Sequence, residues 1–163
     1  MARLRSSVVV PAAWGLPSPK HWSVQVRVVL GDILENEGKA SAAKLGDKAA
    51  FVKLNVTNEA DWVAACAATV KLFGGLDIVC NNAGIEHTAL FENCDENDFR
   101  RVQEINVHGV FLGTKHAIRT MKPGGLSGRG GSIINSSSGA GFKGAVAMGA
   151  YCTSKGAVRL LTK

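Results

Sequence analysis

Aromatic residues are scarce in this 163-residue chain, at 6% of the sequence, which leaves little on which nucleic-acid bases could stack. Paired cysteines are also missing. Cys66, Cys80, Cys94 and Cys152 form no C-x-x-C pair, and the four histidines do not cluster. That pattern argues against a bound metal and against a disulfide framework. It points to a reducing compartment, with the cytoplasm as the default expectation. No apolar run approaches the roughly 18–20 residues that span a bilayer, so no membrane partner is expected. The longest uncharged stretch near the start, 6–19, is broken by Pro11, Pro17 and Pro19. Acidic residues are absent from positions 1–31, where Arg3, Arg5, Lys20 and Arg27 stand. Such a composition resembles an organelle leader, but the prolines argue against an amphipathic transit helix. The net charge is +6 with a sequence pI near 9.4, yet the nineteen Lys and Arg residues form no basic block. We therefore read the charge as a solvated surface and expect no nucleic-acid partner.

What the chain does contain is an alternation of two periodicities. Short apolar runs at 25–30, 49–56, 76–80 and 132–135 predict strands buried on both faces. Between them, 57–73 carries Trp62, Val63, Cys66, Val70 and Phe73 at helical spacing, behind Thr57 as its N-cap. The segment 96–121 does the same with Phe99, Val102, Ile105, Val110, Leu112 and Ile118, behind Asp95. Gly74-Gly75 and Gly124-Gly125 punctuate the helix ends. Strand and helix alternating at this pitch predict βαβ units: a parallel sheet with helices on both faces. The stretch 122–131, five of whose ten residues are glycine, reads as a flexible surface loop.

The sharpest chemical signal is Tyr151-Cys152-Thr153-Ser154-Lys155. On a helix, positions i and i+4 share one face. A phenol ionises near pH 10 when unperturbed, and a fixed ammonium beside it favours the phenolate. Such a pair can act as general acid/base in an alcohol–ketone interconversion. By itself the motif equally describes an exposed tyrosine and a solvated lysine. Its context is more specific. Thirteen residues upstream stands Ser138, where a buried strand opens into the Ser/Gly loop 136–141. Open α/β sheets place their ligands at such carboxyl ends. Asn81-Asn82-Ala83-Gly84 follows the strand 76–80, and Asn106-Val107-His108-Gly109-Val110-Phe111 lies within the long helix.

Together and in this order, these segments resemble the short-chain dehydrogenase/reductase family over residues 24–163. The resemblance implies a Rossmann-like, doubly wound parallel sheet in three αβα layers, incomplete at both ends. It implies an enzyme moving a hydride between a nicotinamide dinucleotide and a small secondary alcohol or ketone. Tyr151 would be the acid/base, Lys155 would lower its pKa and bind the nicotinamide ribose, and Ser138 would hold the substrate oxygen. Asn106 would support a water linking Lys155 to solvent, with a plain helix kink as the alternative. Asn82, Ala83 and Gly84 would pack beside the cofactor. Asp32, ending the strand 25–30, would accept the adenosine ribose hydroxyls and repel a 2′-phosphate, so NAD is expected over NADP. A capping role at the next helix is the other reading of Asp32. Asn55 and Val56 stand where the family has Asp-Val beside the adenine.

Two departures accompany the resemblance. The family's opening glycine turn corresponds to 11–17, but Pro11 and Pro17 replace its first and last glycines and only Gly15 remains. Proline lacks the N–H that would face a phosphate. Residues 1–23 are therefore set apart as an aberrant or partly disordered segment, and 24–163 as a partial dehydrogenase domain. The family pattern also continues beyond Lys163. A flank of the last helix bearing Val158, Leu160 and Leu161 would then be exposed, which favours a homo-oligomer. The competing functional expectation is a catalytically silent, truncated homologue that only binds or oligomerises.

Overall fold

The structure is a computed structural model that describes residues 26–163, together with the strand at 7–11. Five strands form one parallel sheet: β1 (Ser7–Pro11), β2 (Arg27–Asp32), β3 (Ala49–Lys53), β4 (Ile78–Asn81) and β5 (Ser132–Asn135). Their order is β3-β2-β1-β4-β5, so the chain winds outward in one direction and then in the other. β1 lies at the centre, pairing Val9 with Val29 on one side and with Val79 on the other. It falls within the stretch 1–23 that the sequence set apart. Gly15 and the turn around it lie outside the described residues.

Among the described residues the crossovers are helical: α1 (Glu35–Leu45), α2 (Glu59–Phe73), α3 (Glu96–Gln103), α4 (Gly109–Met121) and, after β5, α5 (Gly149–Leu161). This is the predicted three-layer α/β architecture. Parallel neighbours require such crossovers, because a tight turn cannot return a strand in the same direction. The core lies between the sheet and the α2–α4 layer, where Val29, Leu54, Trp62, Ala65, Cys66, Leu76, Val79, Leu112 and Ala117 pack together. Trp62 places its apolar body there and donates its indole N–H to the Val56 carbonyl at 2.9 Å.

Several local expectations are corrected. The cap of α2 is Asn58, not Thr57; its side chain accepts from the N–H groups of Ala60 and Asp61. Thr57 instead donates to the Asn55 side chain. Val63 and Ile118 face solvent, because a helix packed on one side buries only one stripe of its periodic apolar positions. Ile134 in β5 is also exposed, since that strand borders the described sheet instead of sitting inside it. Val158, expected on an exposed flank, is fully buried, whereas Leu160 is open to solvent. The glycine-rich stretch 122–131 is tied down: Ser127 Oγ both donates to the Leu76 carbonyl and accepts from the Leu76 N–H, and Arg129 pairs with Asp77.

The long helix predicted over 96–121 is interrupted at its middle. Glu104–His108 forms a π-helical turn between α3 and α4, centred on Asn106. Wide turns of this kind recur where a helix must present a particular side chain, and here that side chain is fully buried.

Close approach of α4 to the sheet depends on Gly113. A Cβ there would collide with Asn81 Oδ1 and come within 2.7 Å of Trp62. Asn81 is held by its hydrogen bond to Asn135 and cannot move aside freely. Gly113→Ala is therefore expected to lower unfolding stability by about 1–3 kcal/mol, read as a fall in the urea midpoint. An unchanged midpoint would show that α4 does not pack this tightly.

Candidate active site

β4 and β5 run side by side with Asn81 level with Asn135. Their carboxyl ends therefore release two loops next to each other, 82–90 and 136–141. The loops are stitched together: the Ser136 N–H donates to the Asn81 carbonyl at 3.0 Å, and Ser136 Oγ donates to Asn82 Oδ1 at 3.0 Å. Asn81 itself turns inward and links the two strands and α4 through Asn135 and Thr114.

α5 lies across the second loop. Ser137 Oγ donates to the Lys155 carbonyl at 2.9 Å, and a Cβ on Gly141 would stand 2.7 Å from that same oxygen. The Lys155 side chain is only 5% exposed, and its ammonium donates to the Ser136 carbonyl at 2.8 Å. It stands 5.7 Å from the centre of the Tyr151 ring, so the phenol and the ammonium do share one face of α5. Burial pushes the Lys155 pKa down from its ordinary 10.5. Tyr151, the chain's single tyrosine, is half-buried.

Ser138 begins the short 3₁₀ turn 139–141 that packs on α5, and its Oγ accepts from the Ala140 N–H at 3.2 Å. Among the described residues its hydroxyl and the Tyr151 hydroxyl do not hydrogen-bond each other. The structure thus places Ser138 on the loop bound to the Lys155 turn without a direct bond to the phenol.

Asn106 reaches the same region from the π turn. Its Oδ1 accepts from the Ile85 N–H at 2.8 Å, and its Nδ2 donates to the Ile85 carbonyl and to Ser154 Oγ, both at 2.9 Å. It is therefore more than a kink, since both faces of the amide are used. Ser154, also fully buried, donates its own hydroxyl hydrogen bond to the Tyr151 carbonyl at 2.7 Å. Reading the sequence alone missed Ser154, Ile85 and the Ser136 carbonyl. Ser154 was legible in one respect: three residues after Tyr151, it lies on the same side of the helix.

On the other side of the Ala83–Gly84 wall lies a groove of about 390 Å³, lined by Asp32, Gly38, Val56, Ala83, Gly84 and Ile105 among others. Four of the predicted cofactor residues beyond Gly84 (Asp32, Asn55, Val56 and Ala83) line it too, whereas Asn82 is taken up by Ser136 and lies outside that lining. Asp32 Oδ1 accepts from the Leu34 N–H at 2.9 Å, so it orders the entry to α1 from one carboxylate oxygen. Asn55 Oδ1 is engaged by Thr57, which shapes the turn under Val56. Gly84 keeps the wall thin: a Cβ would sit 3.2 Å from Asn106 Oδ1 and 3.5 Å from Lys155 Nζ. A mostly apolar groove lined by two carboxylates, Asp32 and Glu37, with a bare glycine beside the ammonium fits a dinucleotide.

A single parallel sheet with this winding, a groove at its carboxyl ends and a Tyr-x-x-x-Lys helix beside it are the features of a Rossmann-like scaffold for a dinucleotide. The short chain dehydrogenase family model matches residues 21–163, and the chain belongs to that family. It is 46% identical over 137 residues to a 3-alpha-(or 20-beta)-hydroxysteroid dehydrogenase of Mycobacterium tuberculosis, covering 84% of this chain and 51% of that protein. A trans-4-hydroxycyclohexanecarboxylate dehydrogenase of Sinomonas cyclohexanicum is 43% identical over 145 residues, covering 83% of this chain and 54% of that protein. An NADP-dependent (R)-specific alcohol dehydrogenase of Lentilactobacillus kefiri is 38% identical over 139 residues, with 84% and 54% covered. The chain spans about half the length of these relatives. Among the described residues no helix is long and apolar enough to cross a membrane, and no group of three or more His, Cys, Asp or Glu side chains could hold a metal ion.

The burial of Lys155 has a thermodynamic signature. With its folded pKa below 10.5, the native state releases that proton earlier than the unfolded chain does. The contribution is therefore complete above the unfolded pKa and lost as pH falls through the folded one. Relative to Lys155→Met, the wild-type protein should gain stability as pH rises towards 10.5, measured by paired urea titrations. The comparison cancels the buried thiols of Cys66 and Cys80, whose pKa values burial raises. A pH-independent difference would mean that the ammonium is not held out of water.

Proposed function

We propose that the chain forms the cofactor and catalytic half of an NAD-linked oxidoreductase acting on a secondary alcohol or the corresponding ketone. The observation that carries this reading is the buried Lys155 ammonium set between the Tyr151 ring and the Ser136 carbonyl, against the Gly84 wall of the groove. A bound nicotinamide dinucleotide supplies the acceptor or donor for a hydride at the carbinol carbon. The protein's own work concerns the oxygen atom. In oxidation, the Tyr151 phenolate takes the hydroxyl proton as the C–H bond breaks, and in reduction the phenol returns it to the carbonyl oxygen. The Lys155 charge supports the phenolate oxygen electrostatically at short range and in partial dehydration. The Ser138 hydroxyl, held at the loop that packs on α5, donates to the substrate oxygen and orients it. Asn106 braces the groove wall behind Ile85.

NAD is favoured over NADP because Asp32 stands at the end of β2 within the groove. One carboxylate oxygen holds the Leu34 N–H, and the other can accept from a ribose hydroxyl. A 2′-phosphate would meet this carboxylate at close quarters. The relatives are named for a hydroxysteroid, a hydroxycyclohexanecarboxylate and an alcohol, so the reading stops at a secondary alcohol or ketone. The silent-homologue reading has no geometric observation in its favour.

Turnover of a panel of secondary alcohols, followed by nicotinamide fluorescence, tests the assignment. Tyr151→Phe should reduce the rate by at least about a hundredfold while leaving the fold intact by circular dichroism. A variant that keeps the wild-type rate would remove Tyr151 from the chemistry. For the cofactor, calorimetry should give tighter binding of NAD than NADP, and Asp32→Ala should narrow that preference by about tenfold. Equal preference in both proteins would refute the role of Asp32.

A further inference from the structure

We propose that Ser154 is a positioning residue that locks the Tyr151 turn of α5 to the wall of the dinucleotide groove through Asn106. Its catalytic consequence rests on the function proposed above, but the geometry of the lock does not. The chain of bonds runs from the Ile85 N–H to Asn106 Oδ1, from Asn106 Nδ2 to Ser154 Oγ, and from Ser154 Oγ to the Tyr151 carbonyl, at 2.8, 2.9 and 2.7 Å.

Each donor and acceptor role in this chain is forced. Ile85 offers both an N–H and a carbonyl to the same amide, so Asn106 must present Oδ1 to the first and Nδ2 to the second. The other Nδ2 proton then points at Ser154, whose oxygen must accept it. The hydroxyl proton has only the Tyr151 carbonyl left to reach, which it does from three residues further along the helix. Asn106 and Ser154 are both 0% exposed, so water cannot replace a missing partner. Ile85 and Ile105 line the groove, so a shift at Ser154 is transmitted to the surface that holds the dinucleotide, and the reverse. The π turn is what makes the lock possible, because it carries Asn106 at its centre. A serine hydroxyl suits the position, since an alanine would leave one amide proton without an acceptor in a dry site.

The test compares Ser154→Ala and Ser154→Cys with the wild-type chain. Hydrogen exchange at the Ile85 amide should quicken about tenfold in Ser154→Ala, because the amide that accepts from it is released on one side. Calorimetry should show weaker NAD binding in the same variant. In turnover, kcat should fall about tenfold with little change in the KM for alcohol. Ser154→Cys preserves the volume but makes weaker hydrogen bonds, so it should share most of these losses. If Ser154 merely fills space, Ser154→Cys would match the wild type in exchange and in kcat, and the proposal fails. Unchanged Ile85 exchange in Ser154→Ala overturns it as well. Tyr151→Phe separates the two ideas, since it keeps the Tyr151 carbonyl. It should leave Ile85 exchange at the wild-type rate while abolishing turnover. Quickened Ile85 exchange in Ser154→Ala, together with no turnover in the wild type, would reject the proposed function and leave the lock standing.

Discussion

An ammonium group withdrawn from water, anchored on the carbonyl of a strand end, is the point around which this molecule is arranged. Lys155 donates to Ser136 at 2.8 Å, and that bond joins α5 to the loop that leaves β5. Burial of a lysine is costly unless its charge is compensated by polar groups. The Ser136 carbonyl supplies part of that compensation, and the nearby Tyr151 ring lies within cation–π range. The same carbonyl end of the sheet is fixed from below by the level pairing of Asn81 with Asn135. A change in register there would move the serine loop away from α5 and leave the ammonium without its acceptor.

The site grows from a property of parallel sheets. Strands that all point the same way release their loops on one edge, and the change in winding direction between β1 and β4 leaves a gap between neighbouring crossovers. Asp32, Val56, Ala83 and Gly84 stand at or just past the ends of three different strands, β2, β3 and β4, and meet at that gap. Small residues set how closely the parts approach. Gly113 lets α4 reach Asn81 and Trp62, and Gly84 lets the groove wall pass beside Asn106 and Lys155. The proposed catalytic groups are then held by main-chain and amide contacts from separate elements. Rigid support of this kind suits chemistry that depends on where an oxygen and a carbon are placed.

Much of this was legible beforehand, and the reasons differ by element. The strand 132–135 is an apolar run between glycine and serine, and it appears at those bounds. Asp95 caps α3 as expected, because an Asp before a helical run bonds locally to a backbone N–H. Thr57 failed as a cap since its neighbour Asn58 competes for the same role and its own hydroxyl is drawn to Asn55. Val63, Ile118 and Val158 follow the helical period yet end on the unexpected side, because periodicity gives the width of an apolar stripe but not its contact with a second element. The π turn at 104–108 left no mark in the periodicity; its cause is the demand of Ile85 and Ser154 on one buried amide.

Apart from β1, which lies in the stretch set apart as aberrant, the order of strands and helices, the glycine punctuation and the identity of the reactive groups were determined by the sequence, since each depends on residues within a turn or two of one another. Tertiary structure alone decided which polar atoms are shut away from water and which partners satisfy them. Ser154 meets Asn106 across 48 positions and Lys155 meets Ser136 across 19, so neither pairing follows from local spacing. Dehydration is a property of surfaces brought together from distant parts of the chain. It turns an ordinary serine and an ordinary lysine into fixed parts of one site.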